Sequence, residues 1–207
     1  MIKNILIVTA KTKIDLSLFN NNETYIIGVE RGCLDLIEKN IKIDLAISDF
    51  DHVLEEELEL IKSYAKLIEI LSSEKDLLDG EMAIIEAKKI AKNANIMFIA
   101  NPTKRYDMNF SILNLVFKYG VKLINDESVI FKIQAGLTEL EFSNFQVYTY
   151  ISFFSKVDTI ISIENLKYEC KNFELKAWEN SCISNALLLN KNPIIQSNDE
   201  VICIVTK

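Results

Sequence analysis

Apolar positions over the first 125 residues fall into short unbroken runs that alternate with stretches where they recur every three or four residues. The runs at residues 2–8, 24–29, 44–48, 66–71, 95–100 and 121–125 predict strands. Those at 44–48, 66–71 and 95–100 read as buried strands, because continuous apolar character suits a strand covered on both faces. The three-and-four spacing over residues 32–40, 55–63, 79–93 and 107–119 predicts amphipathic helices. Strands and helices in alternation predict an α/β domain with a doubly wound, mostly parallel sheet.

Beyond residue 125 the rhythm changes. Strand-like runs at 128–133, 145–154, 159–163, 166–170, 186–190 and 201–206 are separated by polar turns and carry little helical periodicity. They predict a second, all-β domain built as a small sandwich. The expected division is residues 1–125 for the α/β domain and 126–207 for the β domain.

Three acidic segments sit where a predicted strand gives way to a predicted helix: Asp49-Phe50-Asp51, Lys75-Asp76-Leu77-Leu78-Asp79 and Arg105-Tyr106-Asp107. In an open parallel sheet the loops leaving the carboxyl ends of neighbouring strands converge on one crevice, so residues distant in sequence can meet there. Carboxylates are the hard oxygen ligands that magnesium prefers, and a helix amino terminus favours a bound phosphate. Lys75 and Arg105 supply charge to match phosphate oxygens. Taken singly, each acid is as well explained by a turn, a helix cap or a surface ion pair. Repeated at three strand-to-helix junctions, they point to a magnesium-nucleotide site.

Composition narrows the choice further. A chain of 207 residues with 49% hydrophobic and 26% charged residues is that of a folded protein with ample core, not a disordered one. A net charge of −7 argues against nonspecific nucleic-acid binding. No apolar run reaches membrane-spanning length, and the opening residues 1–8 read as a first strand and not a signal peptide, so a cytoplasmic protein without membrane contact is expected. Cys33, Cys170, Cys182 and Cys203 are widely spaced and form no C-x-x-C, as reduced structural cysteines would be. His52 is the sole histidine, which excludes a histidine-rich metal cluster. Among five glycines there is no phosphate-binding glycine loop of either common type, and no nucleophile elbow of a serine hydrolase. Phosphate binding would then fall to magnesium, helix ends and basic side chains.

The order of these motifs resembles that of the thiamine pyrophosphokinase family, over nearly the whole chain. The family's G-D-x-D-S is matched by Ser48-Asp49-Phe50-Asp51-His52, its K-D-x-T-D by Lys75-Asp76-Leu77-Leu78-Asp79, and its G-G-R-x-D-H by Thr103-Lys104-Arg105-Tyr106-Asp107-Met108. Upstream, D-G-G-A corresponds to Glu30-Arg31-Gly32-Cys33; later, Asn165-Leu166-Lys167-Tyr168 resembles G-L-K-Y, and Ser184-Asn185 resembles an S-N pair near the thiamine pocket. Every charged member of the three central motifs is kept, whereas small and neutral members differ. The resemblance implies transfer of the diphosphate of ATP to the hydroxyl of thiamine, giving thiamine diphosphate and AMP. It assigns Asp49, Asp51, Asp76 and Asp79 to magnesium and nucleotide, and Lys75 and Arg105 to the transferred phosphates. Asp107 would orient the acceptor hydroxyl or take its proton, and Glu30 would reach the nucleotide in place of the family's aspartate. The family's homodimer implies that Ser184 and Asn185 contact thiamine across a subunit interface. The changed glycines and Leu78 keep two alternatives in view: a binding module that does not turn over, and a diphosphotransferase acting on another alcohol.

Overall fold

The computed structural model describes every residue of the chain except Lys75. The chain forms two compact units, Met1–Asp126 and Glu127–Lys207, and the architecture is mixed α/β with a large sheet and a separate antiparallel sheet.

The first unit runs β1 (Asn4–Val8), β2 (Thr24–Gly28), α1 (Arg31–Glu38), β3 (Leu45–Ser48), α2 (Glu55–Tyr64), β4 (Ile68–Ile70), α3 (Asp79–Ile90), β5 (Asn95–Ile99), α4 (Tyr106–Tyr119) and β6 (Lys122–Ile124). Its strands lie in the order β6-β5-β1-β2-β3-β4 and every pairing is parallel. From β1 the chain builds outward to β4, then crosses back through α3 to β5 on the other side of β1. The order therefore reverses between β1 and β5, and the crevice at such a reversal is where ligands of open α/β sheets bind.

Alternation along the strands decides which residues face which layer. Leu6, Val8, Ile26 and Ala46 join Cys33 and Leu36 of α1 and Ile61 of α2 in one buried cluster. Ile5 and Ile7 point the opposite way and are equally buried, as are Ala83, Ile84 and Ala87 of α3. Right-handed crossovers account for the division: a chain that reverses its direction along the sheet places its later helices on the other face. β4 departs from expectation. Its three residues are all exposed, because it is the edge strand and is paired only with β3.

The second unit contains β7 (Ser128–Ile133), β8 (Gly136–Glu139), β9 (Tyr150–Ser155), β10 (Thr159–Glu164), β11 (Cys170–Leu175), β12 (Asn185–Ala186), β13 (Ile194–Ser197) and β14 (Val201–Thr206). β14 pairs with β7 and β9, and β9 with β12, all antiparallel. Separately, β10 pairs with β11 and β13, and β13 with β8. Ile151, Phe153, Ile161, Ile163, Leu175, Ile195 and Val205 supply buried side chains. The strand expected over 166–170 is instead a turn, with Leu166 making only an isolated bridge to Leu187. Asn165 takes a φ of 61°, and the strand starts at Cys170. All four cysteines are free thiols. Among the described residues, no helix is long and apolar enough to cross a membrane.

Candidate functional site

The carboxyl ends of β2 and β3 and the start of α3 bring three acids together. Glu30 follows β2, Asp49 follows β3, and Asp79 opens α3. One carboxylate oxygen from each lies within 4.8 Å of the other two. Ser48, the last residue of β3, is fully buried among them. Its Oγ lies 2.7 Å from Glu30 Oε1 and 2.9 Å from Asp79 Oδ2.

Local backbone geometry sets these positions. Glu30 has φ 49° and Phe50, between Asp49 and Asp51, has φ 57°. Non-glycine residues in this region are uncommon and need surrounding structure to hold them there. Phe50 is held by burial in the core cluster between the sheet and α1 and α2. Glu30 is held by the next turn: a Cβ on Gly32 would lie 2.0 Å from the Val8 carbonyl oxygen, so only glycine lets α1 start this close to β1. At Gly80, beside Asp79, a Cβ would lie 2.8 Å from Phe98 Cζ of β5, a contact with a side-chain ring and not with backbone.

Electrostatically the cluster is poised for a cation. Burial raises the Glu30 carboxyl above the usual range, and the like charges of Asp51 and Asp49 add to this, against the opposing Ser48 hydrogen bond. Glu30 Oε2 is buried with no hydrogen-bond partner among the described residues. A divalent ion would satisfy that oxygen and reverse the repulsion, so the donor set of three hard carboxylates fits magnesium.

Asp51 lies on the exposed side of the same loop. Its backbone N–H donates to Asp49 Oδ1 at 3.4 Å, and its carboxylate stands 3.3 Å from His52 Nδ1. Arg31 braces the loop from outside. It donates to the His52 carbonyl at 3.2 Å and reaches both carboxylate oxygens of Glu57 at 3.2 and 3.3 Å. Glu57 in turn accepts the Leu54 N–H at 2.8 Å at the start of α2.

Other expected site residues sit apart from this cluster or outside the described set. Asp76 is exposed in the bend before α3, and Lys75 lies outside the described residues. Arg105 and Asp107 flank the start of α4 and pair with each other, Nη2 to Oδ2 at 2.5 Å and Nε to Oδ1 at 3.3 Å. The Arg105 hydrogen bond holds the Asp107 carboxyl below the usual carboxylate range. The rim beside them is tied together: Asn101 Nδ2 donates to the Lys11 carbonyl at 2.7 Å, and Asp126 Oδ1 accepts Thr12 Oγ1 at 2.6 Å and the Lys13 N–H at 2.9 Å.

In the second unit, Ser184 has φ 54° and its N–H donates to Ser152 Oγ at 3.0 Å. Asn185 is buried and spends its amide on backbone: Nδ2 donates to the Tyr168 carbonyl at 2.7 Å, and Oδ1 accepts the Tyr168 and Ala186 N–H groups at 2.9 Å each. It therefore locks the turn that presents Tyr168. A cavity of about 170 Å³ opens beside it, lined by Tyr168, Cys170, Phe173, Cys182 and Ile183 as well as Asn185. Burial pushes the Cys182 thiol up to about 11, with Cys170 and Glu179 adding to the effect, so it stays a neutral lining group.

Sequence reasoning marked Ser48 and Arg31 only as replacements for motif glycines and gave neither a contact in the site. Their other signal was positional, since Ser48 immediately precedes the D-x-D and Arg31 follows Glu30.

Comparison with known proteins gives this geometry a family. The family model described as thiamin pyrophosphokinase, catalytic domain, matches residues 16–128, more than half of the chain. The thiamine pyrophosphokinase of Bacillus subtilis (strain 168) is 29% identical over 183 residues, covering 84% of this chain and 83% of that protein. Among solved structures, a thiamin pyrophosphokinase family protein from Enterococcus faecalis superposes with a TM-score of 0.87 at 20% identity, covering 99% of each chain. The thiamin pyrophosphokinase from Candida albicans does so with a TM-score of 0.83 at 16% identity, covering 99% of this chain and 89% of that one. At such identities the superpositions speak for the fold alone, and it is the match over residues 16–128 that shows the relationship: the chain belongs to the thiamin pyrophosphokinase family.

Proposed function

We infer that this chain transfers the diphosphate of ATP to the hydroxyl of thiamine. The observation that carries the reading is the meeting of Glu30, Asp49 and Asp79 around Ser48 at the carboxyl edge of the sheet, within the stretch that matches the family's catalytic domain. The hydroxyl oxygen of thiamine bonds to the β-phosphorus of ATP and gives up its proton to solvent. The bond from that phosphorus to the oxygen bridging it to the α-phosphorus breaks, and AMP departs with that oxygen and its electron pair. Such transfers depend on positioning and on neutralising charge more than on covalent chemistry by the protein.

Glu30, Asp49 and Asp79 would hold a magnesium ion, with Asp51 and Asp76 reaching it or the nucleotide from the exposed side. When bound, that ion supplies neutralisation of the phosphate oxygens. Arg105 presents a planar fork suited to two phosphate oxygens at once, and Lys75 adds a second positive charge. Asp107, kept ionised by Arg105, accepts a hydrogen bond from the incoming hydroxyl and so aims its oxygen. In this reading the first unit carries the nucleotide and the second carries thiamine recognition and homodimer formation. The aromatic-lined cavity beside Asn185 supports the second role: its volume of about 170 Å³ suits one ring of the substrate. Because the Asn185 amide is committed to the Tyr168 turn, Asn185 would act there by shaping the cavity.

The test is AMP release from ATP and magnesium by the purified protein, with and without thiamine, with the products identified by mass spectrometry. Thiamine-dependent AMP together with thiamine diphosphate is the expected result. Asp79→Asn and Asp76→Asn should each abolish magnesium-dependent turnover with the fold intact. Wild-type rates in both variants would remove these residues from the site. AMP release only with a different alcohol would identify another acceptor, and nucleotide binding without AMP would identify a binding module.

A further inference from the structure

Ser48 is fully buried at the end of β3, and both hydrogen-bond distances from its hydroxyl run to carboxylates: 2.7 Å to Glu30 Oε1 and 2.9 Å to Asp79 Oδ2. Both are full hydrogen-bond lengths for a hydroxyl. A serine has a single proton to donate, so at any moment one carboxylate receives it while the other faces the oxygen's lone pairs. The two acids come from different loops, one after β2 and one at the start of α3. Ser48 thus fixes a spacing that neither loop could fix alone. Glu30 is meanwhile held at φ 49°, with Oε2 buried and without a hydrogen-bond partner among the described residues.

The geometry points to Ser48 as a positioning residue, whose hydroxyl brackets Glu30 and Asp79 at the separation at which they and Asp49 hold a divalent cation. This rests on the reading of the acidic cluster as the cation site. A buried serine with a purely structural task could be satisfied by a strand carbonyl. Here the hydroxyl sits between two acids and donates to one of them at a time, with no strand carbonyl as its partner among the described residues, so its loss should fall on cation affinity more than on the fold. Groups that orient metal ligands typically weigh roughly ten- to a hundredfold in affinity.

The test uses the full chain and manganese as the probe, with free Mn²⁺ followed by electron paramagnetic resonance, alongside the magnesium dependence of AMP release. Ser48→Ala should retain a cooperative melt and the wild-type circular dichroism spectrum, yet bind Mn²⁺ roughly ten- to a hundredfold more weakly. The magnesium concentration for half-maximal rate should rise by more than kcat falls. If the alanine variant does not fold, Ser48→Cys, whose thiol is a weak donor, should weaken Mn²⁺ in the same direction. Wild-type protein that binds Mn²⁺, beside a folded variant that binds it equally well, would overturn the positioning role and leave the site reading standing. Wild-type protein that binds no Mn²⁺ would overturn the site reading, and this inference with it.

Discussion

At Gly32 the absence of a side chain decides where the acidic cluster can form. A Cβ there would lie 2.0 Å from Val8 O, 2.5 Å from Val8 C and 2.9 Å from Thr9 Cα. All three are backbone atoms, so no rotamer change relieves the clash, and α1 must withdraw from β1 and carry Glu30 with it. Gly32→Ala is expected to destabilise the protein by about 1–3 kcal/mol, the usual cost of overpacking, and to lower cation affinity as well. Urea unfolding and Mn²⁺ binding on the same variant check both, and unchanged stability would show that the β1–α1 contact is looser than it stands. The aspartates were legible because a carboxylate at a strand-to-helix junction leaves a mark in sequence. Asp49 and Asp79 announce themselves in this way, and Glu30 does so through its place in the family motif. Ser48 shows in sequence only as a changed glycine of the motif: its contacts with the two loops are distances, and a serine ending an apolar run looks the same whether or not two carboxylates close around it.

Elements carry the second layer of support, through the way α1 is fastened to α2. Arg31 opens α1 and Glu57 lies in the first turn of α2, so their pair ties the loop after β2 to the loop after β3. Arg31 is about half exposed, at 56% for its side chain against 23% for that of Glu57, and screening limits such a pair to about 0.2–1 kcal/mol. Its larger effect should be on position, through the 3.2 Å bond to the His52 carbonyl. A double-mutant cycle with Arg31→Gln and Glu57→Gln is expected to show a coupling within that range in urea unfolding. Each single variant should raise the magnesium concentration needed for half-maximal AMP release, and an unchanged requirement in both would dismiss the brace. The parallel half was readable because each of its elements keeps one clear period. The antiparallel half was less so. β11 is exposed at most of its positions and shows no apolar alternation, β8 begins at Gly136 with φ 109°, and β13 directly follows an Asn-Pro pair that reads as a turn. These strands are specified by their partners in the sheet more than by their own pattern, which is why a sequence-only reading passes over them.

For the whole molecule, the balance of buried carboxylates sets the response to acid. Asp44, 6% exposed, lies just before β3 and takes the Ile26 N–H at 3.0 Å, Lys66 Nζ at 2.6 Å and Lys42 Nζ at 3.2 Å. Burial alone would raise its carboxyl, but these partners outweigh burial and hold it below the usual range. Glu81, tied to Tyr119 and Lys118, and Asp126, tied to Thr12, Lys13 and Asn101, are lowered against burial in the same way. A carboxyl whose folded value lies below its unfolded value contributes stability above the unfolded value, near pH 4, and loses it as pH falls through the folded value. Glu30 works in the opposite sense: its raised value means that ionising it at neutral pH costs stability, a cost that a bound cation would offset. The first unit should therefore weaken below about pH 4. Asp44→Asn should cost about 1–3 kcal/mol at pH 7, the range for hydrogen bonds to a charged group, and the gap to wild type should narrow as pH is lowered toward 3, where wild type has lost the same ion pairs. Equilibrium unfolding in urea at a series of pH values measures both curves. A gap that stays constant down to pH 3 would mean that Asp44 acts through shape and not charge, and would leave Glu81 and Asp126 to account for the acid limb.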